Sequence, residues 1–172
     1  MEFFDIYDAN GQYLNKTAVR GEKLDRGEFF LVIHVWIENE RGEFLIQKRA
    51  KKNDPIPYQW AITSGIPNVE ESPLDAAIRE TEEELGIKLT KNKLKKRARI
   101  VSSHNQYNTI THVYHTDEAI AIEDLALNPK EVLAVEYAHL SRIKAMVERG
   151  EFWDYRELLA CPDYFSILER SD

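Results

Sequence analysis

The chain is poor in the residues that build special architectures. It has one cysteine, Cys161, in 172 residues, so no disulfide framework can form within it, which fits a reducing compartment. Seven glycines and six prolines are too few for a collagenous or low-complexity chain. No apolar run approaches the ~20 residues needed to span a bilayer. The opening segment, MEFFDIYDANGQYL, has no basic stretch followed by an apolar one. No signal peptide is expected, and the chain reads as cytoplasmic. An excess of positive charge is also missing. The net charge is −7, so neither nucleic acid nor an anionic membrane is expected as a partner. An acidic chain still admits an anionic small molecule where metal ions neutralise it.

What is present is a foldable composition, 43% hydrophobic and 31% charged, of a length that suits one ordinary domain. Residues 3–16 alternate around Asn10-Gly11, a hairpin signal, and residues 17–28 read as a loop. FFLVIHVWI (29–37) reads as a buried strand, and EFLIQKR (43–49) as its antiparallel partner across a turn at 39–42. A loop over 51–58 and a short strand at Trp60–Ile62 follow. Residues 94–104 and 108–116 read as strands joined near Asn105-Gln106, and 132–138 as another. A helix is expected over 141–149, closed by Gly150. A last helix starts within Tyr155–Leu159, with Pro162 breaking or restarting it. This order predicts one α/β/α unit with a mixed sheet. Residues 1–27 form a β-hairpin extension and 28–172 the main domain.

The most helical segment carries the chemistry. Ser72-Pro73 supplies a capping residue and a proline at the first helical position, and Gly86 supplies the C-cap. Leu74, Ala77, Ile78, Thr81 and Leu85 fall at helical spacing as its buried stripe. Glu80, Glu83 and Glu84 project as one cluster, because residues three and four apart share a face. Carboxylates in the last turns of a helix repel one another and oppose the helix dipole. A sequence chosen only for stability avoids that arrangement. A hard divalent cation removes the conflict, since Mg2+ takes oxygen ligands. The plainer reading is a solvated acidic helix face.

The spacing of the segment decides between the two. It runs Gly65, five residues, Glu71, seven residues, Arg79-Glu80, two residues, Glu83-Glu84-Leu85-Gly86-Ile87. This resembles the Nudix box, G-x5-E-x7-R-E-U-x-E-E-x-G-U, in which U is a bulky aliphatic residue. Eight fixed positions match, and Thr81 stands at one U position, where it can pack by its methyl. The resemblance covers roughly residues 28–155, and the hairpin before it is similar to the extension of a subgroup related to isopentenyl-diphosphate isomerases. It implies a Nudix hydrolase: Mg2+-dependent (or Mn2+-dependent) cleavage of a diphosphate linkage in a nucleoside diphosphate derivative or other small organic diphosphate. By the same resemblance, Glu80 and Glu84 are direct metal ligands and Glu83 a ligand or base. Glu71 binds metal through water or holds Arg79. Arg79 belongs to the catalytic set with Glu80 and Glu83, as a partner of carboxylates. A base from outside the box has candidates in Glu118, Glu123 and Glu131, each also readable as an ordinary surface carboxylate.

Two alternatives differ in kind. An isomerase of the related subgroup needs a cysteine and a metal-binding histidine just before the box, where this chain has Ser64 and Ile66. A serine hydroxyl is a far poorer proton donor to carbon than a tuned thiol. A catalytically silent diphosphate-binding module sits badly with four intact box glutamates. The seven basic side chains of 88–99 read as a guarded strand edge. His34 reads as a core histidine. His104, His112 and His115 match no common zinc spacing. Tyr107, Phe152, Trp153 and Tyr155 suit either a core or a stacking wall. A homodimer through the hairpin stays open.

Overall fold

In the computed structural model, residues 2–50, 57–104, 107–155, 158 and 161–169 are described. The strands are β1 (Phe3–Tyr7), β2 (Tyr13–Val19), β3 (Phe30–Ile37), β4 (Glu43–Arg49), β5 (Trp60–Ala61), β6 (Thr63–Gly65), β7 (Lys95–His104), β8 (Tyr107–Thr116) and β9 (Val132–His139). The helices are α1 (Pro73–Leu85), α2 (Leu140–Glu148) and the short α3 (Ser166–Glu169). The expected α/β class with a mixed sheet is what forms. A four-stranded sheet runs β6-β3-β8-β7, with β3 and β8 parallel and the outer pairs antiparallel. A second, antiparallel sheet runs β5-β4-β9.

β3 explains why its sequence is apolar almost throughout: both faces are covered. Ile33, Val35 and Ile37 pack with Ala76, Ala77 and Leu85 of α1. On the other face Trp36 packs with Ile143 and Met146 of α2. The expected pairing of β3 with β4 is corrected here. The two strands touch through one antiparallel bridge, Glu38 with Phe44, and then part into different sheets. Both edges of β3 are already occupied, by β6 and by β8, so β4 is released to pair with β9. The basic stretch ends in β7, the outer strand of its sheet, with Lys95 and Lys96 exposed.

The hairpin forms as the Asn10-Gly11 signal predicts. Asp8 caps its turn by accepting from the backbone N–H of Asn10 (2.9 Å) and Gln12 (2.8 Å), and Gly11 takes φ +86. β1 then joins the main body. Tyr7 and Phe29 exchange two backbone hydrogen bonds of 2.8 Å. Phe4, Ile6, Ala18, Leu24 and Phe30 form a small core between hairpin and sheet.

Parts of the expected pattern fall outside the described residues: most of the 51–58 loop, the Asn105-Gln106 joint and most of the Tyr155–Leu159 helix start. Beyond Pro162, α3 begins at Ser166. Among the described residues no helix is long and apolar enough to cross a membrane.

Candidate active site

α1 is built by its end signals. The Ser72 hydroxyl accepts from the backbone N–H of Asp75 (3.1 Å), Pro73 occupies the first turn, and Gly86 closes the helix at φ +72 with its N–H on the Glu82 carbonyl (2.9 Å). Thr81, the departure from the box pattern, is fully buried, and its hydroxyl donates to the Ala77 carbonyl at 2.8 Å. The polar atom is satisfied within the helix, so the methyl serves as an aliphatic surface.

The three helix glutamates, expected to project as one cluster, are graded in burial. Glu84 follows Ala77 and Thr81 at helical spacing and lies inside, 5% exposed. The Glu80 side chain is mostly covered, and that of Glu83 is about half exposed (53%). Burial pushes the Glu84 carboxyl up to about 8; the Gln47 amide, donating at 2.7 Å, opposes this, and the charges of Glu80 and Glu131 reinforce it. Burial also raises Glu80 above the usual carboxylate range against the pull of Arg79, with Glu83 and Glu131 adding to the rise. These are carboxylates held where they resist ionisation.

Arg79 organises the remainder. Its Nε and Nη2 donate to the two oxygens of Glu71 at 2.8 and 2.9 Å, a bidentate pair. Nη1 donates to Glu80 (2.8 Å) and Glu83 (3.0 Å), and Nη2 makes a long contact to the Ile66 carbonyl (3.4 Å). The hydrogen bonds of Glu71 chiefly hold the guanidinium charged beyond its ordinary range. Burial works against Glu71, yet Arg79 and the Asn68 N–H (2.8 Å) keep its carboxyl below the usual range. Arg79 and Glu71 thus form a brace, and Glu80 and Glu83 hang from it.

The brace faces a cavity of about 460 Å3. Glu80, Glu83 and Glu84 line it from α1, Glu131 from the loop before β9, and Arg49 from β4. Trp153, Tyr155 and Tyr107 supply aromatic wall, and Phe3 and Phe4 reach it from the hairpin. The Arg49 guanidinium lies 4.5 Å over the Trp153 ring. Among the three outside candidates for a base, the fold brings Glu131 to this cavity. Glu118 is turned to Thr90, accepting from its N–H (3.1 Å) and hydroxyl (2.8 Å). Glu123 lies in a short 3-10 turn and is not among the lining residues.

Among the described residues no three acidic or imidazole side chains already converge on a metal-sized point; Arg79 takes an oxygen of Glu80 and of Glu83. The donor chemistry nevertheless fits a hard divalent cation. The set is all carboxylate oxygen, two of its members are buried beside each other, and Gly65 leaves the space they need. A Cβ at Gly65 would overlap the Glu80 carboxyl. The histidines do not form a rival centre. His115 accepts from Arg97 (3.2 Å) and donates to Glu38 (2.7 Å). His112 lies three residues away, on the opposite face of β8 by strand alternation. There burial, with Lys96 and Arg99, keeps it neutral down to about 4. His34 pairs through Nδ1 with the Tyr164 hydroxyl (2.8 Å) and also borders the cavity.

Sequence reading assigns no role to Gln47, names Tyr155 only among aromatics suited to a core or a stacking wall, and predicts the hairpin without its place at the cavity, where Phe3 and Phe4 lie. Gln47 had a usable signal, a polar residue inside the apolar run of β4. Tyr155 had only its aromatic character; its hydroxyl accepts from the Ile62 N–H (3.1 Å), 93 positions away.

Residues 29–160 match the NUDIX domain model. An uncharacterized Nudix hydrolase of Listeria innocua is 35% identical over 158 residues, covering 90% of each chain. One from Listeria monocytogenes is 35% identical over 156 residues with the same coverage. Among solved structures, a Deinococcus radiodurans protein aligns at a TM-score of 0.71 with 17% identity over 98% of each chain. The NUDIX domain of Shewanella oneidensis NrtR, crystallised with ADP ribose, aligns at 0.59 with 13% identity over 82% of this chain and 84% of that one. The two structures speak to the fold, and the family model and the Listeria relatives to the family.

Proposed function

The chain belongs to the NUDIX domain family, as a pyrophosphohydrolase, and we propose that it uses Mg2+, or Mn2+ in its place, to cleave the diphosphate linkage of a nucleoside diphosphate derivative or another small organic diphosphate. The observation that carries this reading is the burial of Glu84 beside Glu80 and within the field of Glu131, all at the wall of one cavity. Three carboxylates gathered there are a charge conflict that a divalent cation relieves.

Glu80 and Glu84 would hold the ion, with Glu83 at the open end of the set. When bound, the ion supplies Lewis acidity and a template for the diphosphate oxygens. Glu71 fixes Arg79, and Arg79 fixes the spacing of Glu80 and Glu83. Arg49 and Arg20 on the cavity wall favour an anionic substrate. Phe3 and Tyr107, each nearly half exposed, offer flat faces that suit a base or another planar group. A proton must leave the attacking water. Glu83 and Glu131, which line the cavity, are our candidates to take it, and separate Glu→Gln variants distinguish them, since loss of the general base costs about 10^2–10^4-fold in kcat.

An isomerase resembling the isopentenyl-diphosphate enzymes is disfavoured by residue chemistry. Ser64 and Ile66 border the cavity where a thiol and an imidazole are needed, and Cys161 is not among the lining residues. The test is a panel of nucleoside diphosphates, nucleotide sugars, ADP-ribose, NADH, CoA and isopentenyl diphosphate, with Mg2+ or Mn2+. Wild type is compared with Glu83→Gln and Glu84→Gln. Metal-dependent release of phosphate or a nucleoside monophosphate from one class, lost in both variants, supports the reading. Isomer formation, or binding without cleavage across the panel, overturns it.

A further inference from the structure

We propose that Asp5, on the first strand of the N-terminal hairpin, is a positioning residue for the catalytic helix and makes the hairpin a working part of the active site. This rests on the hydrolase reading above. Asp5 is 8% exposed. Its Oδ2 accepts from the backbone N–H of Glu70 at 2.9 Å, while its Oδ1 is buried with no partner. A buried carboxylate oxygen without a partner lowers stability. Its cost is understandable if the bond to Glu70 has a purpose beyond hairpin stability.

Glu70 marks where that purpose lies. It adopts φ +62, a left-handed conformation that residues with a side chain rarely take. Such a conformation persists only where surrounding contacts fix it. Its immediate successor is Glu71, the residue that grips Arg79 with both oxygens. Asp5 therefore fixes Glu70, which sets Glu71, which sets Arg79, which spaces Glu80 and Glu83. A second contact points the same way. Ile66, whose carbonyl faces Arg79, packs against the core that the hairpin residues Phe4, Ile6 and Ala18 form with Leu24 and with Phe30 of β3. The hairpin thus touches the loop before α1 at both ends, at Ile66 and at Glu70. It precedes the matched NUDIX segment, so this support is added to the domain from outside it.

The test compares Asp5→Ala, Asp5→Asn and Asp8→Ala in the full chain. Asp5→Asn keeps an acceptor for the Glu70 N–H. Asp8→Ala loosens the hairpin turn without touching the loop, and controls for a general loss of stability. For Asp5→Ala, kcat is expected to fall about tenfold or more, and Mn2+ binding, read by electron paramagnetic resonance of the free ion, to weaken by about tenfold. KM for the diphosphate is expected to change less, because the residue acts through the catalytic helix. Deuterium exchange across residues 68–71 should quicken. Asp5→Asn should recover most of each effect, and Asp8→Ala should lower stability while leaving kcat and Mn2+ affinity as in wild type. The proposal is overturned if Asp5→Ala binds Mn2+ and turns over like wild type. It is equally overturned if Asp5→Ala and Asp8→Ala lose kcat only in proportion to the fraction unfolded. Should wild type itself neither hydrolyse nor bind Mn2+, the hydrolase reading fails, while exchange at 68–71 still decides whether Asp5 holds the loop.

Discussion

Replacing Glu84 with glutamine isolates the buried charge at the centre of the site. The two side chains have nearly the same shape, and the amide oxygen can still accept from Gln47. What is lost is the carboxylate. In the metal-free protein the Glu84 carboxyl keeps its proton up to about 8, against an ordinary 4.5. Folding therefore takes up a proton between those two values, and stability falls as pH rises through that window. Below about 4.5 the group is protonated in both states and contributes no slope; above about 8 the loss is complete. At about 1.36 kcal/mol for each tenfold change in proton concentration, the loss is roughly 4–5 kcal/mol at most. That is a large share of the ~5–15 kcal/mol by which a domain is ordinarily stable.

Glu84→Gln should lack this slope. Urea unfolding followed by circular dichroism at pH 5 to 9, in EDTA, gives the comparison, since other titrating groups cancel between the two proteins. The variant should gain on wild type steadily from pH 5 to 8 and run parallel beyond. Adding Mg2+ should shift the balance back towards wild type. Wild type gains RT ln(1 + [Mg2+]/Kd), about 2.7 kcal/mol at a hundredfold excess over Kd, and the variant gains far less. Parallel curves across the whole range in EDTA would refute the reasoning, because Glu84 would then titrate as an exposed carboxyl does.

The same physics and the backbone geometry give further expectations. Mg2+ binding at pH 7 should release up to about one proton, because Glu84 must ionise to ligate; calorimetry in buffers of different ionisation enthalpy measures it, and a buffer-independent enthalpy contradicts it. Gly65→Ala places a Cβ on the Glu80 carboxyl, so kcat should drop at least tenfold while the fold costs about 1–3 kcal/mol in urea unfolding. Gly86→Ala forces a side chain into φ +72 with a Cβ 2.6 Å from the Ala126 carbonyl oxygen and Cβ; stability should fall by more than about 1 kcal/mol, with little change in metal affinity. Arg79→Lys replaces a two-pronged donor with a point charge, and kcat should fall about 10–100-fold, with Glu71→Gln giving a similar loss and the double variant adding little.

Much of the site was legible because it is local. Gly65, Glu71, Arg79, Glu80, Glu83 and Glu84 lie within twenty residues, and a helix with clear end signals fixes their relative directions. The fold class followed from element order for a similar reason, since the strands at 29–37, 94–104 and 108–116 announce themselves by their own periodicity. What escaped depends on tertiary choices that leave no local trace. The split of β3 from β4 is decided by competition for the edges of β3, and the winner, β8, lies about eighty residues downstream. Burial of Glu84 was hidden because helical spacing places it equally well with Glu80 or with the Ala77–Thr81 stripe.

That split also builds the chemistry of the cavity. Had β4 stayed beside β3 in one sheet, Gln47 and Arg49 would be bound to a strand that α1 already packs against. Released, β4 pairs with β9, with Arg49 opposite Val132, and Glu131, in the loop just before β9, lines the same cavity as Arg49. Gln47 of β4 donates to Glu84 of α1 at 2.7 Å. The glutamates of α1 are therefore met by a second set of polar residues that arrives on an independent sheet. The helix alone supplies an acidic face, which is common; the opposing sheet encloses it, and enclosure is what raises the proton affinity of Glu84 and gives a divalent ion its advantage over water.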